Sequence, residues 1–223
     1  NGEKMSKSRG TFILAKTYLE TLDPELLRYY YASKLTSSAD DIDLNLSDFV
    51  FKVNSDVVGK VVNIGSRLGS IINKKLEGKL TTLDQEGESL LEAIALESTK
   101  IGELYDSLNY QAAMKAIMGL ADQVNQYIDR SAPWALVKTD PDKAGQVCTA
   151  GLNALYRFAI LLSPVLVRIS KDILIFLNIE TAKWRDITVR YEDHDINPYS
   201  HLIKRIEQKD IKGLIVKEKE TAT

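Results

Sequence analysis

The sequence is poor in the residues that build cross-linked or metal-held scaffolds. Its 223 residues include one cysteine, Cys148, and two histidines, His194 and His201. A lone cysteine excludes an internal disulfide and any zinc site built on cysteine, and it fits a reducing compartment. No apolar run is long enough to span a bilayer, and no secretory leader is recognisable. There is no internal repeat and no low-complexity tract. Net charge is −2, so no global basic field marks the chain as a polyanion binder. With 44% hydrophobic and 27% charged residues, the composition is that of an ordinary globular protein with enough length for a real core. The chain begins Asn1-Gly2-Glu3 without an initiator Met, and it is expected to be a piece of a longer protein.

Against this background two local features stand out. The first is Lys4-Met5-Ser6-Lys7-Ser8, followed by Arg9-Gly10. It has no apolar periodicity and reads as a loop. Lysine ammonium groups, serine hydroxyls and free backbone N–H groups suit a phosphate chain, and they can stabilise charge that develops when phosphorus is substituted. The second is a local excess of basic residues. Residues 52–79 hold Lys52, Lys60, Arg67, Lys74, Lys75 and Lys79 against Asp56 and Glu77.

Most of the chain is patterned as helix. Asp23-Pro24-Glu25 is a helix start, with a capping carboxylate, Pro in the first turn and an acid at the positive end of the dipole. This helix is expected to run to about residue 35. Alternation over Ile42-Asp43-Leu44-Asn45 suggests a short strand. Ser47 is the expected cap of a long helix whose apolar positions, Val50, Val53, Val57, Val61, Ile64, Leu68 and Ile71, are spaced by three and four, with Gly78 as its stop. Further helices are expected over residues 84–108, from a cap at Asn109 to an interruption at Ser131-Ala132-Pro133-Trp134, from Asp140-Pro141 to Pro164, and over 165–177. Long amphipathic helices joined by short loops specify an antiparallel bundle. Residues 180–200 are irregular, 202–206 a short strand or an extended segment, and 209–220 a last helix. The expected division is 1–46 for the lysine loop and a connecting module, 47–180 for the bundle, and 181–223 for a return segment and terminal helix.

Residues 4–8 match the KMSKS signature of class I aminoacyl-tRNA synthetases, and the likeness runs on through the chain. Leu27-Arg28-Tyr29-Tyr30-Tyr31 and Asp40-Asp41-Ile42-Asp43-Leu44 resemble the connecting region of methionyl-tRNA synthetases. Asp48-Phe49-Val50, Asn54-Ser55-Asp56 and Lys60-Val61-Val62-Asn63 resemble the first helix of that family's anticodon-binding bundle. Ala132-Pro133-Trp134-Ala135-Leu136 resembles its anticodon loop, and Arg205-Ile206-Glu207 its return segment. The resemblance implies a mainly α fold, a helical anticodon-binding bundle preceded by a small α/β stem-contact module. It implies a methionine–tRNA ligase as the parent enzyme, cytoplasmic, using ATP with Mg2+ and methionine, with tRNA(Met), initiator included, as partner and neither membrane nor DNA.

Site residues follow from the same likeness. Lys7 and Lys4 are the implied catalytic groups, and Lys4, Met5, Ser6, Lys7 and Ser8 the implied ATP contacts. Asn63, Arg67, Trp134 and Pro133 are implied to read the CAU anticodon. The residues agree on physical grounds. Asn63 and Arg67 are four apart on one helix and project together. A Trp at a helix break can stack on an unpaired base. Taken singly, Asn63 reads as a surface polar residue, Arg67 as a salt-bridge partner and Trp134 as packing; their combination with the signature gives them their meaning. Trp184 has no such context and is read as packing. Lys74 and Lys75 read equally as phosphate contacts or a solvated helix end. The family's His-x-Gly-His element is not present, so the chain alone is expected to be inactive. The alternatives are another class I synthetase, the cysteine-specific one for instance, and a non-catalytic helical interaction module.

Overall fold

The computed structural model describes residues 13–38 and 41–221, with side chains through residue 214. The expected ATP loop, Lys4, Met5, Ser6, Lys7 and Ser8, lies outside the described residues. The N-terminal module contributes α1 (Ala15–Leu19) and α2 (Pro24–Ala32). The Asp23 carboxylate accepts the Glu25 N–H at 2.9 Å and starts α2 as its sequence predicts. Glu25 is buried on α2, where its carboxylate accepts the Arg168 and Ile169 N–H groups at 2.5 and 2.9 Å. It thereby caps α9 (Val167–Phe176) from another element, satisfying two donors that the helix itself leaves open. Residues 42–45, expected as a strand of an α/β module, form no strand among the described residues. A strand requires a partner edge, and the neighbouring α2 and α3 (Leu46–Val53) are helices that offer none.

The long helix expected with its cap at Ser47 begins two residues earlier. Asn45 is its cap, accepting the Asp48 N–H at 2.9 Å, rather than Ser47. It is also not uniform. After α3 the chain winds as a π-helix over Asn54–Val62 and returns to α-helix as α4 (Asn63–Lys75). Gly59 suits the wide turn, since a Cβ there would meet the Asn54 carbonyl at 3.0 Å. Wide turns of this kind are frequent at functional sites because they re-aim the side chains that follow. Glu77 and Gly78, both at positive φ, end the rod.

Around it stand α5 (Gln85–Asp106), α6 (Tyr110–Ser131), α7 (Pro133–Thr139) and α8 (Pro141–Leu162). Asp84, Asn109 and Asp140 cap α5, α6 and α8 through side-chain oxygens. The central element is α8, in which every residue from 147 to 162 is buried and which packs against α4, α5, α6, α7 and α9. At Gly151 the absent Cβ leaves room for Leu68 of α4. Trp184, in a short 3-10 turn (Trp184–Asp186), packs edge-on against Tyr105 with ring centroids 6.1 Å apart, the packing role its sequence context indicates.

Residues 187–207 carry little regular structure, and polar side chains of the helices take over their backbone groups. Asn153 on α8 bonds both the N–H and the C=O of Tyr191, at 2.8 and 2.9 Å. The buried Arg157 donates from Nε to the Ile187 carbonyl at 2.6 Å, and burial lowers its guanidinium pKa to about 10. Farther on, Asn73 accepts the Tyr199 N–H at 3.1 Å, and Asn54 closes a two-way pair with Ile206 at 2.9 Å each. The return segment therefore runs back along the α4–π rod, fastened near both ends. A last helix, α10, covers Gln208–Thr221.

Candidate nucleic-acid interface

The break between α6 and α7 is a single residue. Ala132 stands in the left-handed region at φ 44°, ψ 58°, and its N–H bonds the Ile128 carbonyl at 2.9 Å. A non-glycine residue there costs about 1–3 kcal/mol and persists where the surroundings enforce it. Pro133 follows at the first position of α7 and is buried. Together they hold Trp134 at the start of a short helix that packs on α8 and α4. Trp134 is 44% exposed, a high value for so large an apolar ring.

Arg67 projects from α4 onto that ring. Its guanidinium carbon lies 4.7 Å from the ring centre, and one nitrogen meets Asp129 Oδ1 at 2.5 Å. Asp129 near the end of α6 and the aromatic face of Trp134 thus fix the plane of the guanidinium, leaving its remaining donors for a ligand. No sequence pattern marked Asp129, because its relation to Arg67 spans 62 positions. The structure brings Arg67, Pro133 and Trp134 together. Asn63 faces differently. It stands where the π-helix hands over to α4, and it lines a cleft of 960 Å³ with Val58, Val62 and Ser66 of the rod. Its carboxamide forms no hydrogen bond with the described residues, whereas its carbonyl accepts the Ser66 hydroxyl at 3.1 Å.

The cleft is roofed by the return segment. Tyr199 and residues 201–207 line it, and between the fastenings at Tyr199 and Ile206 there is a further tie from Arg168 to the Leu202 carbonyl at 3.4 Å. Tyr199 lies close against Gly65 and Gly69, where Cβ atoms would stand 3.2 Å from it, and packs edge-on on Phe176. Its hydroxyl is buried without a normal-length hydrogen bond, with Leu202 N–H and the Ser66 hydroxyl beside it. Sequence reasoning did not select Ser66, Tyr199 or His201. The charges of this wall pair unevenly: Asp23 engages Arg168 and Glu207 engages Lys209, while Lys204 and Arg205 are exposed and have no ion pair among the described residues. Lys74 and Lys75 are exposed at the end of α4. The described residues hold no cluster of three or more His, Cys, Asp or Glu able to bind a metal, and no helix long and apolar enough to cross a membrane.

Comparison with known proteins agrees with this architecture. Residues 1–69 match the model of class I (M) tRNA synthetases, and residues 79–208, more than half the chain, match the anticodon binding domain of methionyl tRNA ligase. The methionine–tRNA ligase of Bdellovibrio bacteriovorus is 45% identical over 215 residues, 96% of this chain. The chain spans about a third of that relative's length, 31%. Mycobacterium tuberculosis methionyl-tRNA synthetase in complex with methionyl-adenylate superposes with a TM-score of 0.84 at 21% identity, over 92% of this chain and 42% of that one. The apo form of the same enzyme gives 0.77 at 20% identity, over 84% and 40%. At that identity the solved structures speak for the fold.

Proposed function

Because the chain belongs to the family of methionyl-tRNA ligase anticodon-binding domains, we propose that it is the tRNA-reading portion of a methionine–tRNA ligase. Its ligand is the CAU anticodon of tRNA(Met), initiator included. The observation that carries this reading is the Arg67 guanidinium laid over the half-exposed Trp134 ring. An unpaired base stacks on that aromatic and cationic surface, and the free guanidinium donors meet its edge or its phosphate. Asn63, one turn from Arg67, offers a carboxamide with both donor and acceptor to a second base edge. Pro133 keeps Trp134 at a fixed angle.

The remainder of the reading concerns the parent enzyme, which activates methionine with ATP and transfers it to tRNA. Lys7 stabilises the charge that gathers on the departing pyrophosphate, and Lys4 assists; Met5, Ser6 and Ser8 complete the loop around the nucleotide. Mg2+ arrives with ATP as part of the substrate. Residues 1–46 form the ATP loop and connecting module, 47–180 the anticodon bundle, and 181–223 the return segment and terminal helix. The enzyme works in the cytoplasm, where its tRNA resides.

Binding of a CAU anticodon stem-loop tests the central claim. Trp134→Ala is expected to weaken it by about 1–3 kcal/mol and to weaken a scrambled loop far less. Equal loss for both loops would reduce Trp134 to packing. For the ATP loop, Lys7→Ala in the complete enzyme is expected to depress single-turnover adenylate formation more than ATP binding; an intact rate would refute its role.

A further inference from the structure

Arg67 and Trp134 leave the 960 Å³ cleft beneath the return segment unused, although it opens one helical turn away along the same rod. We propose that this cleft is a nucleotide pocket. When an RNA loop engages Trp134 and Arg67, a neighbouring unstacked nucleotide enters the cleft. Its base edge meets Asn63 and Ser66, its ring lies near His201, and its phosphate meets Lys204 and Arg205. The inference rests on the anticodon reading and adds to it the residues of the return segment.

Three observations converge on a ligand that is both polar and anionic. The Asn63 carboxamide faces the cleft without a hydrogen bond to the described residues. Lys204 and Arg205 are exposed and unpaired among the described residues, while the neighbouring Arg168 and Lys209 are neutralised by Asp23 and Glu207. Finally, the return segment is fastened at Asn73 and Asn54 but bonds little between them, so the groups along residues 203–205 stay open to a ligand. The Ser66 hydroxyl, the Asn63 amide and the His201 ring answer a base, and the two cations answer its phosphate. A purely apolar ligand would leave every one of these groups unsatisfied.

The test uses CAU stem-loops carrying 4-thiouridine at single loop positions, irradiated on the protein, with the adducts mapped by mass spectrometry. At one loop position the adduct is expected on the peptide holding Tyr199 and His201. His201→Ala is expected to weaken stem-loop binding about five- to tenfold, within the range for a lost base–aromatic contact. Lys204→Ala is expected to reduce the slope of log affinity against log salt by about 0.7, as for one lost single-strand phosphate contact. Lys204 is exposed, so its variant keeps the test valid if His201→Ala alters folding. Adducts confined to α4 and α7, with both variants binding as the parent does, would overturn the pocket while Trp134-dependent binding still upheld the anticodon reading. Failure of the unaltered protein to bind the stem-loop would overturn both. Displacement of the adduct by equimolar AMP or CMP would reassign the cleft to free nucleotides and overturn its assignment to an RNA strand.

Discussion

The phenol of Tyr29 on α2 donates a 2.8 Å hydrogen bond to the buried carboxylate of Asp56 in the π-helix. Asp56 also holds Lys52 at 3.0 Å and Lys60 at 3.9 Å, and Lys60 reaches Asp122 of α6 at 2.8 Å. Burial, reinforced by the adjacent Asp56, raises the Tyr29 pKa well above its ordinary value, so the hydroxyl remains a donor. One chain of polar contacts thus joins the N-terminal module, the π-helix and the helix that carries Asp129.

Removal of that phenol tests the chain directly. Tyr29→Phe keeps the ring and deletes the donor, while the two lysines still neutralise Asp56. A loss of about 1.5 kcal/mol is expected, the scale of a hydrogen bond to a charged group, seen as a lower urea midpoint with an unchanged m-value. An unaltered midpoint would mean that the lysines alone sustain Asp56.

Arg67→Lys separates charge from shape. Lysine retains the positive charge but not the planar fork that lies on Trp134. Stem-loop affinity is expected to fall about tenfold with little change in its salt dependence. A large change of salt slope instead would make Arg67 a phosphate contact.

Acid titration exposes the α2–α3 junction. The hydrogen bond from Lys34 to Asp48, 2.6 Å long, is the foremost cause of the lowered Asp48 pKa. A carboxylate whose folded pKa is depressed contributes stability above its unfolded pKa and loses it as pH falls through the folded value. Both partners are more than a third exposed, so about 0.5 kcal/mol is expected after solvent screening. Lys34→Gln should cost this at pH 7, and the cost should fade below about pH 4. A cost that persists at pH 3 would place the effect in packing.

Cys148 reports on the central helix. Burial pushes its thiol up to about 12, so at pH 8 alkylation should require unfolding. Gly151→Ala, which forces a methyl against Leu68, is expected to destabilise by about 1–3 kcal/mol and to raise the alkylation rate in proportion. Fast alkylation of the unaltered protein in the absence of denaturant would contradict a closed core around α8.

The helix starts at Asp23, Asp84, Asn109 and Asp140 were legible because a cap is local chemistry, written in two or three adjacent residues. The π-helix was not. Val53, Val57 and Val61 keep a spacing of four that an α-helix satisfies equally, and the wider turn shows itself only in the backbone and in Asn54's engagement with Ile206. Nor could periodicity pair Arg67 with a Trp 67 positions later; that juxtaposition rested on resemblance. Spacing set Asn63 and Arg67 on one face, yet one lines the cleft and the other lies on Trp134. The return segment has no repeating pattern, because its order is imposed by side chains of helices already formed.

That dependence has a kinetic side. The Asn54–Ile206 pair joins positions 152 apart, and Asn73 meets Tyr199 across 126. Such pairs demand closure of most of the chain before they yield any gain, so they belong to the late side of the folding barrier. Helices α4 to α8, whose contacts close shorter loops, can assemble first and present Asn54, Asn73 and Asn153 as a template. Mutations at these asparagines should therefore quicken unfolding and leave the folding rate nearly unchanged.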